Sequence, residues 1–465
     1  MKRAHFSATV IGMALLIPGC AKYRPQPLEP NAALQQLQRV TFDDVLAESA
    51  KAETPLAKGL DLTDGLNEDE VALAAMFLSP ELKAKREERG VAAGQLITAG
   101  LWPNPDFDSK FQRDVQHPVT GIEANLAFEV LRWRERAAER DAAKANVEAV
   151  RCELLADEWR IVSDARAAYW SVAGLDGKLR NSREALALAD KLVQAARVRT
   201  ERGSASSFDL NLAELDRARM QSEVLRTEAE LASGARTLRQ LMGLPPAAEL
   251  RLEDAHIPSP AAREWNAEQL TALLPGSARL QAAEWRYKVA EGELQAAVSR
   301  QFPSLKLGPA ADFTYEGGAW SSLLGSLVAF EAPWLHRNRG QIREKTAARS
   351  AACARYTLEL HELRAQLAEA VGTVQSVERR LAFQRDELLP KTNDSIRLTE
   401  KAFEAGGIGI VELLKAQSSI IEAKAAHLDT LLEYRRALQS VESALGRRLQ
   451  DALPPAAPAS GPKQP

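Results

Sequence analysis

The chain runs from Pro118 to Pro245 without a proline, and again from Pro333 to Pro390, through stretches rich in alanine, leucine and charged residues. Proline inside a helix removes a hydrogen bond and clashes with the preceding turn, so its absence over such lengths marks very long helices. The segment Arg132 to Glu201 alone would reach roughly 105 Å at about 1.5 Å per residue. A helix of that length cannot bury one face against a compact core and must lie along other helices. Phe208 to Met242 and Val411 to Leu445 supply return helices, each ending at a glycine, Gly243 and Gly446, suited to a helix C-cap. Shorter helical patterns run from about Asn67 to Gly100 and from about Asn266 to Phe302.

The two long stretches echo one another. Glu201 and Glu404, Gly203 and Gly406, Leu210 and Leu413, Ala213 and Ala416, Glu230 and Glu433, and Gly243 and Gly446 all stand 203 positions apart. A fixed offset held this long indicates an internal duplication. Each copy also carries a pair of segments of period two, the mark of strands with one greasy and one wet face. Phe107, Phe111 and Val115 alternate with polar neighbours; Ile122, Ala124, Leu126, Phe128 and Val130 do the same, as do Leu305, Leu307, Ala311, Phe313 and Tyr315, followed by a less regular segment from Trp320 to Phe330. Four such strands cannot close a barrel alone, since the smallest bacterial barrels use about eight.

The first residues form an export signal: Lys2 and Arg3, an apolar run from Val10 to Ile17, then LIPGC ending on Cys20. No apolar run approaches the roughly 20 residues that a membrane-spanning helix needs. LIPGC resembles a bacterial lipobox, which implies cleavage after residue 19 and a lipidated Cys20; an ordinary signal with an incidental cysteine is the alternative. With Ala21 and not aspartate behind it, the resemblance favours the outer membrane. The expected organisation is a signal peptide over 1–19, a lipidated linker over 20–66, repeats over 67–255 and 256–450, and a Pro/Ala-rich disordered tail over 451–465.

The balance of 60 basic and 63 acidic residues, with no basic block, argues against nucleic acid as a partner. Cys152 and Cys353 lack metal-ligand spacing and are expected to be free thiols. The six histidines (His5, His117, His256, His336, His361 and His427) are scattered, so neither a metal site nor another cofactor is expected. With no phosphate loop, no GxSxG and no paired-carboxylate or Cys/His site, no catalysis is expected either.

AGLWPNPDF (99 to 107), ARAAYWSV (165 to 172), ERGSASSFDLNLAE (201 to 214), QLMGLPP (240 to 246), FEAPWLHRNRGQI (330 to 342) and EAGGIGIVELLKAQ (404 to 417) together resemble the TolC family of outer-membrane efflux ducts, in particular its CzcC-like heavy-metal branch. The resemblance covers nearly the whole mature chain. It implies a mainly α protein with a small β part: long α-helical hairpins forming a trimeric tunnel, with four strands per chain contributing to a shared 12-stranded transmembrane β-barrel. It also implies a homotrimer set in outer-membrane lipid and working with a periplasmic adaptor and an inner-membrane RND-type pump as a passive exit duct.

The resemblance makes the glycine-rich turns the hairpin tips where the adaptor docks: Gly203, Ser204, Ala205 and Ser206 in the first copy, and Gly406, Gly407, Ile408 and Gly409 in the second. The plainer reading is of short helix connections with N-caps at Ser207 and Gly409. A periplasmic gate would involve Asp209, Phe403, Glu412 and Lys415. The family pattern is broken there: Phe403 stands at the usual tyrosine, Ile408 at an arginine and Lys415 at the second acid, which puts a hydrogen-bonded latch in doubt. Glu412 and Lys415 could instead pair along their helix or stay solvated. Seven acids sit on the wet faces of the first three strands, Asp106, Asp108, Asp114, Glu123, Glu129, Asp312 and Glu316, against Lys110 and Lys306. Facing a lumen they would favour cations; any water-filled barrel is also simply polar. RWRERAAER (132 to 140) and RNRGQIRE (337 to 344) would lie where barrel meets helix. Competing readings are a duct for organic toxicants or secreted polypeptides, and a periplasmic coiled-coil adaptor or structural lipoprotein, which would have no use for two symmetric strand pairs.

Overall fold

In a computed structural model of the chain, residues 22–51, 65–114, 119–130, 132–203, 206–253, 265–331, 336–405 and 407–452 are described. The signal peptide, Cys20 and nearly all of the tail lie outside them. The described residues 22–40 form one unit, with helix α1 (Pro30–Gln38) started by its own proline. The described residues from Thr41 to Ala452 form a second compact unit, which contains both repeats. The stretch expected to be a linker also carries α2 (Phe42–Lys51), whose Val45 is buried.

The helix expected over Asn67 to Gly100 is two helices, α3 (Glu68–Leu78) and α4 (Pro80–Gly100). Pro80 cannot continue a helix but suits the start of one, and the Ser79 hydroxyl accepts from the Leu82 amide as its cap. Asn67 and Glu70 close a capping box at the start of α3. Strands β1 (Asp106–Arg113) and β2 (Thr120–Glu129) follow. Next come α5 (Trp133–Glu201), one helix of 69 residues as the missing prolines demand, and the return helix α6 (Ser207–Leu241).

The second repeat opens with a short α7 (Ala267–Thr271) and a 3₁₀ turn (Leu274–Gly276), where one helix was expected to begin; Pro275 and the Ser277 cap delay α8 (Ala278–Ser299). Strands β3 (Ser304–Glu316) and β4 (Ala319–Glu331) precede α9 (Arg339–Phe383). Pro390 does not end that helix. A π-helical turn over Gln384–Leu388 widens the backbone immediately before α10 (Leu389–Glu404), giving the ring room against the preceding carbonyl. Helix α11 (Ile410–Leu445) returns and ends at Gly446, at φ +66°, before α12 (Leu449–Ala452).

Small residues set how closely the long helices approach. Ala138, Ala142, Ala145, Ala149 and Cys152 recur at alternating spacings of four and three and are all buried, a coiled-coil seam with almost no side-chain bulk. Opposite them on α8 lies Gly292, where a Cβ would fall 2.9 Å from that of Ala142. The second repeat uses larger residues: Leu363, Leu367, Val371, Val374, Val377 and Leu381 of α9 pack on Tyr434, Ala437, Val441 and Leu445 of α11. A half-buried charge cluster ties the start of the first repeat to the end of the second. Arg166 of α5 donates to Asp69 at 3.0 Å, and Arg448, beyond α11, bonds the same carboxylate.

The four strands form one antiparallel sheet in the order β1-β2-β3-β4, so the hairpins of the two repeats join through β2 and β3. Within the chain β1 and β4 are edges. Cys152 is buried and Cys353 exposed, both free, and burial pushes the Cys152 thiol up. Among the described residues no helix is long and apolar enough to cross a membrane.

Candidate functional site

Two regions gather the residues that the sequence singled out. The first is the shared end of the two hairpins. Helix α5 stops with Gly203 at φ +69°, a left-handed conformation that glycine adopts without a Cβ penalty. The N-cap of α6 is Ser206, not the expected Ser207. Its hydroxyl accepts from the Asp209 amide at 3.2 Å, while the Asp209 carboxylate reaches back to the Ser206 amide at 3.0 Å. These bonds from Ser206 hold the Asp209 carboxyl below its usual range. The serine-to-aspartate spacing of a capping box was present in the sequence and identifies this cap.

The second turn repeats the arrangement with other atoms. The Gly407 amide donates to the Ala402 carbonyl at 2.9 Å, closing the end of α10. Gly409 is the N-cap of α11, as expected, and Glu412 occupies the position that Asp209 holds in the first copy. Its carboxylate lies over the glycine: a Cβ at Gly409 would stand 2.9 Å from Glu412 Oε2. Both candidate gate acids therefore serve the first turn of a return helix, where negative charge also suits the helix dipole. Lys415 is exposed, one helical turn on, and no ion pair joins it to Glu412 among the described residues. Ser204, Ala205 and Gly406 lie outside the described residues.

Beneath the turns one apolar cluster binds the hairpins together: Leu192, Val193 and Ala196 of α5, Ala213 of α6, Phe403 of α10, and Ile410 and Leu413 of α11, with Ile408 packed against it. Phe403, expected at a gate, is thus a core residue, 8% exposed. Its partner was not foreseen. The Arg199 guanidinium stacks 4.1 Å from the ring centroid and donates to the Phe403 carbonyl at 2.9 Å, a bond between the two repeats. Nothing in the spacing pointed to Arg199, because the contact joins residues about 200 positions apart.

The second region is the sheet. Its register puts Asp106 and Asp108 of β1, Glu123 and Glu129 of β2, and Asp312 and Glu316 of β3 on one face, with Asp114 just past the end of β1. Phe107, Phe111, Ile122, Leu126, Phe128, Leu305, Leu307, Phe313 and Tyr315 share the other. Glu123 stands between Lys110 and Asp312 in one cross-strand row, so two carboxylates face each other directly. Lys306 bonds Asp106, and Glu129 pairs with Arg132 at 2.8 Å. The acidic character stops at β3: the same face of β4 carries Leu323, Leu327 and Ala329. A surface with this surplus of carboxylate draws cations and repels anions. Among the described residues no group of three His, Cys, Asp or Glu side chains is placed to hold a metal ion.

A curated relative, the cobalt-zinc-cadmium resistance protein CzcC of Cupriavidus metallidurans, is 22% identical over 423 residues, covering 90% of this chain and 97% of that one. The pyoverdine export outer membrane protein OpmQ of Pseudomonas putida is 23% identical over 346 residues, 70% of this chain and 71% of its own. Among solved structures, the outer membrane protein VceC of Vibrio cholerae superposes with a TM-score of 0.69 at 17% identity, over 82% of this chain and 96% of that one. The family described as outer membrane efflux protein matches residues 79–244 and 270–447, one block in each repeat. The two-repeat architecture, the single amphipathic sheet and this match over most of the sequence agree: the chain belongs to the outer membrane efflux protein family.

Proposed function

We propose that three copies of this chain close a twelve-stranded barrel, with the paired hairpins continuing it as a tunnel, and that the assembly is the passive exit for heavy-metal cations. The open edges of β1 and β4 support the shared barrel: a four-stranded sheet with one apolar face leaves its edge groups unpaired in lipid unless neighbouring chains complete the ring. Strands β2, β3 and β4, of 10, 13 and 13 residues, are long enough to cross when tilted. In this reading the acidic face lines the lumen and the hairpin ends, around Gly203, Ser206, Gly407 and Gly409, receive the periplasmic adaptor that couples the duct to an inner-membrane RND-type pump. Cys20 adds a lipid anchor to the barrel.

The observation that carries the cargo is the likeness to the cobalt-zinc-cadmium resistance protein over nearly the whole of both chains. The acidic face agrees with it. The test compares cells with and without the gene for growth and retained zinc, cobalt, cadmium and copper, beside a panel of organic toxicants. Sensitivity to one or two cations with metal retained in the cells is expected. Unchanged metal handling with new sensitivity to organic compounds would keep the duct and reject the cargo, the direction in which the likeness to a pyoverdine exporter points.

A further inference from the structure

The arginine-rich segments at the junction of sheet and helices have no part in the duct reading, and the structure gives them an unusual setting. All four helix connections lie at one rim of the sheet: Asp106 and Ser304 begin strands there, Glu129 and Glu331 end them, and the register pairs Ser304 with Glu331 and Glu129 with Lys306. Large aromatic side chains stand out at this rim, with Trp102, Trp133, Phe302 and Phe330 all about 60% exposed or more. Arg136 stacks 4.1 Å from the centroid of Trp102, and Arg134 lies 5.1 Å from that of Trp133.

Several arginines here are committed within the protein. Arg132 pairs with Glu129, and Arg300 bonds Glu135 at 2.6 Å and Glu139 at 2.8 Å. Arg134, Arg339 and Arg343 are exposed, and among the described residues no carboxylate lies within ion-pair distance of any of them. They occupy the first two turns of α5 and α9, where the helix dipole disfavours positive charge. Helix stability therefore does not account for them. The opposite rim differs: there Tyr315 and Trp320 pack at 5.3 Å, Arg113 ends β1, and the acids Asp114 and Glu316 stand at the same rim.

We propose that this rim is a binding belt for the phosphate headgroups of anionic phospholipid in the leaflet next to the helices; the proposal rests on the sheet spanning the membrane. Aromatic rings prefer the boundary between acyl chains and headgroups, and arginine binds phosphate through paired N–H donors. Dimensions agree. Arg339 to Arg343 covers about 6 Å of helix axis, and the headgroup layer of one leaflet is roughly 5–8 Å deep. The charged rim would seat the barrel at a fixed height and distinguish one leaflet from the other.

The test reconstitutes the full-length protein in nanodiscs of equal parts phosphatidylcholine and phosphatidylglycerol and counts by native mass spectrometry the lipids that remain bound. The wild type should keep phosphatidylglycerol in roughly ten-fold preference. Each arginine near an anionic surface contributes up to roughly five-fold, so Arg134→Gln, Arg339→Gln and Arg343→Gln together should abolish the roughly ten-fold preference, while the three lysine replacements retain most of it. Wild type and glutamine variant with equal preference would overturn the proposal, as would wild-type preference abolished by inorganic phosphate, which would make the site one for a free anion. A wild type that does not insert even into phosphatidylcholine alone would overturn the spanning sheet, and the belt with it. Insertion without headgroup preference would overturn only the belt.

Discussion

Replacing Phe403 by alanine should loosen both hairpins, though the residue belongs to only one. The ring is nearly buried, packs with residues of α5, α6 and α11, and carries Arg199 on its face. Phenylalanine-to-alanine replacements in packed cores cost about 3–5 kcal/mol. The site lies near a helix end, where collapse is easier, so about 3 kcal/mol of local stability is expected to be lost. At about 1.4 kcal/mol per factor of ten, that is a rise of roughly 150-fold in hydrogen exchange from local opening. The assay is native-state exchange at the amides of Leu192 to Arg199 and of Ile410 to Leu414. Arg199→Gln should raise exchange at both segments by less, with the two changes in a double-mutant cycle falling short of additivity by about 0.5–2 kcal/mol, the worth of the stacking contact. Faster exchange confined to Ile410 to Leu414, with Leu192 to Arg199 unchanged, would refute the claim that this cluster binds the two repeats.

Gly292→Ala should destabilise the chain by about 1–3 kcal/mol in denaturant, since its Cβ meets both the side chain and the backbone of Ala142; Ala142→Gly should restore only part of that loss. The Ser206 bonds lower the Asp209 carboxyl below its ordinary 3.8, so the stability it adds to α6 is complete above that value and disappears as pH falls through the lower folded value. Protection factors at Phe208 to Leu210, which allow for the slower intrinsic exchange in acid, should accordingly fall below about pH 4 in the wild type, and Asp209→Asn should remove that step. Glu123→Gln with Asp312→Asn should leave single-channel conductance in planar bilayers but reduce cation preference measured by reversal potential; an unchanged reversal potential would show that these carboxylates do not face the conducting path.

What could be read in advance was whatever repeats along the chain. Proline-free length gave the 69-residue helix, period two gave the four strands, and the fixed offset gave equivalent hairpins. Local breaks were harder to place. Ser79-Pro80 lay inside a stretch expected to be one helix, and the π-turn that accommodates Pro390 has no pattern of its own. At the hairpin ends, the spacing of Ser206 and Asp209 marked a cap in the sequence, but the placing of the Glu412 carboxylate over Gly409 emerged only from geometry. Resemblance placed Phe403 at a gate; the structure buries it under Arg199, a long-range contact that no local pattern records.

The measurement closest to the central claim is cross-linking of the open sheet edges in native outer membranes. Single cysteines on β1, at Ser109, and on β4, at Ser321, Ser322 or Ser326, would be introduced as pairs into a chain lacking Cys353, the exposed thiol. At least one pair should form intermolecular bridges giving a ladder that ends at three chains, because closing the ring uses every edge. Bridging that continues past three chains, or no intermolecular product from any pair in protein that is correctly inserted, would contradict the shared barrel.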